Sequence, residues 1–285
     1  MALFWLLIIV LGAVFAKPLR QLLHLALTTE LHSHILLVPI ASLYLVYLSR
    51  DRLPRESRPW RSGLVILIMA GACILGVAWF LPQTGAGDAQ LSLIMLAFVC
   101  LVAATGCGAL GREWMRPLGF PFAFLVFLVP LPNAVANWLE GISQVASAEV
   151  ADLFFGFSNV PVLRTGLFFQ LPGITIRVAQ ECSGIRSSLV LFMTSLLASY
   201  LFLRGGWRRA ILVGFVIPLG ILRNGLRIAV IGWLCAAYGP EMIDSPIHRQ
   251  GGPFFFVASL IPLLGLVWIL RRGEDKSSPR GSQTR

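Results

Sequence analysis

Long apolar runs separated by short basic loops constrain this chain more than any other feature of its sequence. Several runs are about 20 residues long, the length that an α-helix needs to cross the hydrocarbon core of a bilayer. Hydrophobic residues make up 57% of the chain and charged residues 13%, against roughly 25% charged residues in an average soluble domain. The mean hydropathy is +0.80. The pattern therefore predicts an all-α polytopic membrane protein.

The apolar runs predict about eight transmembrane helices. The loop between the second and third runs carries five arginines between residues 50 and 61, and such basic loops stay on the cytoplasmic side. Both termini are then expected in the cytoplasm, and topology explains the net charge of +10 without a nucleic-acid partner. The predicted spans are Ala2–Ala16, His34–Ser49, Gly63–Leu81, Leu91–Leu110, Leu118–Pro132, Ile185–Leu203, a span that begins at Ala210, and Pro253–Leu270.

Composition predicts one integral-membrane domain over residues 1–272. A disordered cytoplasmic tail is expected over residues 273–285, which are charged and small. Lys17–Ser33 is predicted to be a polar connection between the first two spans. It contains His24 and His32, with His34 just beyond, but no set of cysteines or carboxylates accompanies them at metal-ligand spacing. No metal site is predicted.

The stretch between residues 133 and 181 is the longest without a clear span. Val135–Phe157 repeats apolar residues near helical spacing, which predicts a short amphipathic helix on the extracytoplasmic membrane surface. Leu167–Leu171 and Ile174–Val178 flank Pro172-Gly173 and predict a β-hairpin, with a simple surface loop as the alternative. Strands exposed to lipid would leave backbone groups unpaired, so the hairpin must lie outside the hydrocarbon or against protein.

The stretch Gln180–Ser187 follows the hairpin, precedes a span and reads Gln-Glu-Cys-Ser-Gly-Ile-Arg-Ser. It places the Cys182 thiol at the membrane surface, beside Glu181 and Arg186, instead of deep in hydrocarbon. A lone cysteine is often only a small buried hydrophobe, and its surroundings decide whether it reacts. The cysteines at positions 73, 100, 107 and 235 lie in apolar runs, where a structural role is expected.

Polar residues also interrupt the apolar run from Ala210 to Tyr238. As one helix that run would be about 43 Å long, too long for a straight crossing of a core about 30 Å thick. The sequence therefore predicts an interruption at residues 223–227, which read Arg-Asn-Gly-Leu-Arg. A charge that faces lipid is costly, so Arg223 and Arg227 should face a polar interior or reach the interface. His248 lies in the polar loop before the last span.

Three motifs, Glu181–Arg186, Arg223–Ile228 and His248 with Gly251-Gly252, resemble the exosortase/archaeosortase family in their order and spacing. His32–Pro39 also resembles that family's entry to its second span, and the resemblance extends from about residue 22 to residue 270. It implies a membrane-embedded, sortase-like cysteine transpeptidase. Its expected substrates carry a C-terminal tripartite (PEP-CTERM-like) sorting signal, which consists of a short motif, a transmembrane helix and a basic cluster.

The resemblance also implies roles for individual residues. Cys182 matches the nucleophile, Arg227 the essential arginine and His248 the histidine. No cofactor is expected; the expected partners are membrane-anchored substrates, membrane lipid and a lipid- or polysaccharide-linked acceptor. The implied location is the bacterial cytoplasmic (inner) membrane, with the active site on the extracytoplasmic face. From their positions in these motifs, the supporting residues are Asn224, Glu181, Ser183, Gly184, Arg186 and Arg223. Glu181 and Arg186 have an equal structural alternative, in which they pair with each other or with Arg177.

These residue types fit acyl transfer. A thiolate is the attacking species, and cationic neighbours lower the pKa of a thiol. A histidine can protonate the leaving amine, whereas an arginine cannot act as a base and would stabilise the oxyanion. Two other classes stay open: a transporter or channel whose broken helix lines an anion path, and a non-catalytic scaffold for surface-polymer assembly. The transporter gives Cys182 no role, and the scaffold predicts that Cys182 is dispensable.

Overall fold

A computed structural model describes residues 2–54, 58–81, 87–158, 160–178, 185–244 and 252–277. The α-helices are α1 (Ala2–Val14), α2 (Ala16–Thr28), α3 (Val38–Ser49), α4 (Arg61–Phe80), α5 (Gly87–Ala109), α6 (Arg112–Phe124), α7 (Asn133–Gly156), α8 (Ile185–Phe202), α9 (Gly206–Tyr238) and α10 (Gly252–Ser277). Short 3-10 helices cover Glu30–Leu37, Arg50–Arg52, Leu125–Leu128 and Pro240–Asp244. The strands are β1 (Leu163–Thr165), β2 (Phe168–Leu171) and β3 (Ile174–Arg177).

Within these ranges, six helices are long and apolar enough to cross a membrane. Two bent helix pairs raise the number to eight if each pair is counted as one span. The first pair is α1 with α2, bent by 75°, and the second is Arg112–Leu128 with α7, bent by 93°. Each of the eight predicted spans corresponds to one of these helices or pairs, so the all-α polytopic fold class is confirmed.

The prediction of a polar connection over Lys17–Ser33 is wrong. Most of that segment is helical, because α2 covers Ala16–Thr28 and a 3-10 helix begins at Glu30. Leu22 and Ala26, one helical turn apart, are both buried, whereas Arg20 is exposed. The segment is therefore an amphipathic helix whose apolar side packs inward, and its polar residues occupy the other side.

The predicted interruption at residues 223–227 is also wrong. The helix α9 continues from Gly206 to Tyr238, 33 residues, or about 50 Å at the rise of an α-helix. Apolar residues on both sides of the polar group are buried, among them Leu219 and Ile228. Packing on both sides therefore keeps the helix continuous through residues 223–227. The polar side chains of this segment form hydrogen bonds with neighbouring helices.

The chain divides into two compact units, Met1–Ala136 and Asn137–Arg285. In the first unit, α5 packs against α1, α2, α4 and α6, and its side chains Met95 and Cys107 are fully buried. The single domain over residues 1–272 stays a prediction. The last helix continues past the predicted start of the tail at residue 273, to Ser277.

A loop at one end of the first unit is held by backbone contacts. Trp60 N donates to Cys107 O at 2.9 Å, and Arg112 N donates to Arg58 O at 3.4 Å. Gly111 has a φ of +82°, and a side chain at this position would collide with the Arg58 carbonyl group. The turn between α5 and α6 therefore requires glycine, and the arginine-rich loop lies directly against it.

The second unit contains an antiparallel sheet in the order β1-β2-β3. The β2–β3 pair, with Phe169 opposite Ile176 and a turn at Pro172-Gly173, confirms the predicted hairpin. Gly173 has a φ of +83°, which suits glycine in a tight turn. The strand β1, which pairs Arg164 with Phe169, was not predicted.

The end of α10 is tied to the turn between α8 and α9. The Glu274 carboxylate accepts hydrogen bonds from the backbone N–H groups of Arg204 at 3.0 Å and Gly205 at 2.7 Å. It also pairs with Arg208 Nη1 at 3.4 Å, and both side chains are largely covered. A carboxylate at this place lies beside the N-terminus of α9 and complements its dipole.

We expect Glu274→Gln to lower the free energy of unfolding by about 1–3 kcal/mol, because backbone donors lose a charged acceptor. Thermal unfolding in detergent, followed by size-exclusion chromatography, measures the change. Glu241→Gln is the matched control, since Glu241 is an exposed residue of the 3-10 helix Pro240–Asp244. Equal melting temperatures for Glu274→Gln and wild type would contradict the structural role of this carboxylate.

Candidate active site

A polar cluster lies in the middle of α9, inside the second unit. Arg223 is 7% exposed and Asn224 is 2% exposed, while Arg227, one turn further along, is half-buried. Residues 223 and 227 are four apart in a helix, so they lie on the same side of α9. The two arginines and the asparagine predicted as site residues thus lie together on one helix.

The Arg223 guanidinium points towards α8. Its Nη2 donates a hydrogen bond to Ser188 Oγ at 3.2 Å. At Gly220, one turn earlier on α9, a Cβ atom would lie 2.9 Å from the same oxygen, so this glycine lets α8 approach closely. A buried charge requires polar neighbours, and the Ser188 hydroxyl supplies one from the adjacent helix.

Asn224 connects α9 to α7. Its Nδ2 donates to Ser147 Oγ at 3.0 Å, and both residues are buried. This bond joins residues 77 positions apart in the sequence. A buried amide with a defined partner has one favoured orientation, so the bond fixes the rotation of α9 about its axis at the level of the cluster.

Two glycines allow α9 to approach α7 closely. A Cβ at Gly225 would lie 2.5 Å from Val150 Cγ1 and 3.1 Å from Ala151 N. A Cβ at Gly232 would lie 2.5 Å from the Phe155 ring. Gly225 and Gly232 therefore place α9 in direct contact with α7 over two helical turns, on either side of Arg227 in the chain.

The helix α7 confirms the helix predicted over Val135–Phe157, and small residues form much of the side that it buries. Trp138 and Val145 are 65% and 53% exposed, whereas Ser147 and Ala151 are fully buried. Ser147 and Ala151 face α9, as do Val150 and Phe155 at the two glycines, whereas Trp138 and Val145 are exposed. The location of α7 at the extracytoplasmic surface stays a prediction.

The same helix also holds the sheet. Arg164 of β1 donates to Glu149 Oε1 at 2.6 Å and reaches Asp152 Oδ2 at 3.5 Å. The bonded Glu149 carboxylate raises the pKa of Arg164. The Phe155 ring lies 5.3 Å from the Phe169 ring of β2. Thus α7 joins the sheet, whose last strand leads to residue 182, to the helix that carries Arg227.

The structure does not describe five of the predicted site residues: Glu181, Cys182, Ser183, Gly184 and His248 lie outside the described ranges. The described neighbours on either side of the cysteine segment are Val178, which is buried, and Ile185, where α8 begins. Arg186 lies in the first turn of α8 and is exposed. In the described part of the chain, no group of three histidine, cysteine or acidic side chains could hold a metal ion.

Ser147, Ser188 and the glycines that position the cluster were not predicted from the sequence. One signal was available: Gly225, Ala229 and Gly232 recur at helical spacing on α9, and Ser147, Ala148 and Ala151 do so on α7. Small residues at such spacing are typical of close contacts between membrane helices.

The fold and the polar cluster together define a polytopic α-helical membrane protein whose site contains a buried guanidinium group, that of Arg223, and a buried side-chain amide, that of Asn224. The family model described as Transmembrane exosortase matches residues 26–265, so the chain belongs to the transmembrane exosortase family. No curated protein and no solved structure matches the chain. The family match confirms the resemblance seen in the sequence and supports a membrane transpeptidase- or protease-like role.

Proposed function

We propose that this protein is a cysteine endopeptidase or transpeptidase of the bacterial cytoplasmic membrane. It cleaves the C-terminal tripartite sorting signals of exported proteins on the extracytoplasmic face, for surface or exopolysaccharide-associated sorting. Family membership supports the reaction class. The observation that carries the residue assignment is the position of Arg227 relative to the end of α8.

The helices α8 and α9 are joined by the three-residue turn 203–205 and pack against each other, so they run in opposite directions. Ser188, one turn into α8, lies level with Gly220 and Arg223 of α9. Arg227 lies one further turn along α9, towards the N-terminal end of α8. Cys182 precedes that end by three residues in the sequence. The register therefore supports an encounter between Arg227 and the segment that carries Cys182.

The proposed reaction begins when the Cys182 thiolate attacks the substrate carbonyl carbon next to the membrane helix of the signal. The carbonyl π-electrons move to oxygen, and the Arg227 guanidinium stabilises this oxyanion. The oxyanion then collapses, the C–N bond breaks, and His248 donates a proton to the leaving amine. The product is a thioester on Cys182, which water or an amine of an acceptor resolves by releasing the thiol.

Asn224 and Arg223 act as positioning residues in this proposal. Asn224 is bonded to Ser147 and Arg223 to Ser188, so both are committed to neighbouring helices. They hold α9 against α7 and α8, and this arrangement orients Arg227. Glu181, Ser183, Gly184 and Arg186 flank the nucleophile in the sequence and are proposed as supporting residues. The proposed partners are membrane-anchored substrates, membrane lipid and a lipid- or polysaccharide-linked acceptor.

The transporter alternative depended on a broken helix lined by Arg223 and Arg227. The helix α9 is continuous, and Arg223 donates to Ser188 within the packed unit. Neither observation favours an anion path. The scaffold alternative makes no use of Arg227 and predicts no covalent change in any exported protein.

The test uses a tagged exported protein with a tripartite tail, expressed with and without this protein. We expect the tail to be removed only when the protein is present, and only while the short motif of the tail is intact. Added hydroxylamine should yield a product with a C-terminal hydroxamate, because hydroxylamine attacks a thioester. An unchanged substrate mass in cells that contain the inserted protein would reject the proposed activity.

We expect Arg227→Gln to slow processing by about 10² to 10³, the usual cost of losing one oxyanion donor. Arg227→Lys keeps the charge but loses the planar fork of donors, and it should recover only part of the rate. Time courses of tail removal measure both variants. Arg116→Gln is the matched control, since Arg116 is an exposed residue of α6 in the first unit. If Arg227→Gln removed the tail at the wild-type rate, the proposed role of Arg227 in stabilising the oxyanion would be rejected.

A further inference from the structure

A cavity of about 570 Å³ lies in the first unit, among α1, α2, α3, α5 and α6. Its volume falls within the usual range of small-molecule sites, roughly 300–1,000 Å³. The lining consists of aliphatic and aromatic side chains together with one hydroxyl, that of Ser42. The cavity is separate from the α9 cluster, which belongs to the second unit.

Apart from the indole N–H groups of Trp5 and Trp114, the Ser42 hydroxyl is the polar side-chain group of this lining. Ser42 is 6% exposed, and its Oγ has no hydrogen-bond partner within the described chain. A serine in a helix usually bonds to a backbone carbonyl three or four residues earlier, as Ser49 does with Leu45 O at 2.9 Å. A buried hydroxyl without an acceptor is unfavourable, so Ser42 points to a ligand that presents one.

One end of the cavity adjoins basic residues. Leu53 and Leu110 line this end, and the loop contacts at Arg58 hold it together. Arg52 precedes Leu53, Arg112 lies two residues beyond Leu110, and both arginine side chains are exposed.

Among the described residues, two carboxylates share this end, Asp51 and Glu113, and each has a cationic or N–H neighbour. Asp51 pairs with Arg50 at 3.7 Å, and Glu113 accepts a hydrogen bond from Arg58 N at 3.2 Å. The described arginines at this end, Arg50, Arg52, Arg58 and Arg112, outnumber these two carboxylates, so their net charge is positive and suits an anionic head group.

We propose that this cavity binds one acyl chain of an anionic phospholipid, whose ester carbonyl accepts a hydrogen bond from Ser42 and whose phosphate lies near Arg52 and Arg112. An acyl chain that moves from the bilayer into the cavity gains little from the hydrophobic effect, because the bilayer interior is as apolar as the cavity wall. Selectivity arises from dispersion contacts with the wall, from the hydroxyl and from the basic end. The proposal does not depend on the cysteine chemistry.

Native mass spectrometry of the delipidated protein tests the proposal with two probes, dioleoyl phosphatidylglycerol and dioleoyl phosphatidylcholine. We expect half-saturation of wild type at a phosphatidylglycerol concentration at least five-fold lower than the phosphatidylcholine concentration that is required. Arg52→Gln with Arg112→Gln should abolish this preference, whereas Arg271→Gln with Arg272→Gln, on α10, should preserve it. Equal retention of the two lipids by wild type would overturn the anionic ligand.

Filling the cavity tests its location. Val46→Trp adds an indole to the lining and should weaken phosphatidylglycerol retention at least ten-fold, whereas Val65→Trp on the exposed surface of α4 should not. Equal retention by Val46→Trp and wild type would overturn the cavity as the site. If Val46→Trp fails to fold, Ser42→Ala provides the test. We expect wild type to prefer ester-linked over ether-linked phosphatidylglycerol and Ser42→Ala to lose this preference. An unaltered preference in Ser42→Ala would reject the site.

Discussion

Cys182→Ala should reduce processing of a tagged substrate with a tripartite tail to the level of cells without the protein. We expect a loss of at least about 10³-fold, because removing a covalent nucleophile leaves only the contribution of binding and oxyanion stabilisation. Cys182→Ser should be as inactive, since a hydroxyl group is a far weaker nucleophile than a thiolate at neutral pH. Immunoblots of the shortened substrate, with mass spectrometry of its new C-terminus, measure the loss.

Cys73→Ala is the matched control for the cysteine variants. Cys73 is a free, exposed thiol on α4 in the first unit, and its removal should leave processing at the wild-type rate. Both Cys182 variants must insert into the membrane and melt like wild type. Normal processing by Cys182→Ala would end the nucleophile assignment, and the transporter and scaffold alternatives would then be preferred.

Gly225→Ala should destabilise the second unit by about 1–3 kcal/mol and reduce processing at least ten-fold. The added methyl group would lie 2.5 Å from Val150 Cγ1 and 2.7 Å from Val150 Cβ, as well as 3.1 Å from Ala151 N. Rotating the Val150 side chain cannot relieve contacts with its own Cβ or with a backbone nitrogen, so α7 and α9 must separate. Arg227 would move with α9.

Gly214→Ala on the same helix is the control for Gly225→Ala. A Cβ at Gly214 has nothing within 4 Å, so alanine should be neutral or slightly stabilising there through its higher helix propensity. Melting temperature and resistance to trypsin report stability, and tail removal reports function. Equal stability of the two alanine variants would mean that α7 and α9 can move apart at no cost.

Much of the architecture could be predicted because lipid leaves the backbone few options. An apolar run of about 20 residues satisfies its hydrogen bonds in lipid only as a helix, so span positions follow from hydropathy. The hairpin could be predicted from alternation around Pro172-Gly173, a local signal. These features depend on residues close together in the sequence, and the structure confirms them.

The two failed predictions, a polar connection over Lys17–Ser33 and an interruption at residues 223–227, both concern segments that prove to be helical. The length and charge of the run predicted that α9 breaks at residues 223–227. The helix is continuous because Ser147 and Ser188 of neighbouring helices accept hydrogen bonds from Asn224 and Arg223. Nor did the sequence indicate that Ser147 and Ala151 of α7 are buried against α9, since Trp138 and Val145 are larger and more apolar but exposed. In a membrane, large apolar side chains are equally well accommodated facing lipid.

The sequence by itself determined the membrane class, the approximate spans, the hairpin and the family, because each rests on composition or on spacing along the chain. It also placed Arg223, Asn224 and Arg227 in one short polar segment. Only the tertiary structure decided that Arg223 is bonded to α8 and Asn224 to α7, through partners 35 and 77 residues away. Helix packing determines these partners. For example, the contact between Gly225 and Val150 sets the distance between α9 and α7, and no local sequence pattern encodes that contact.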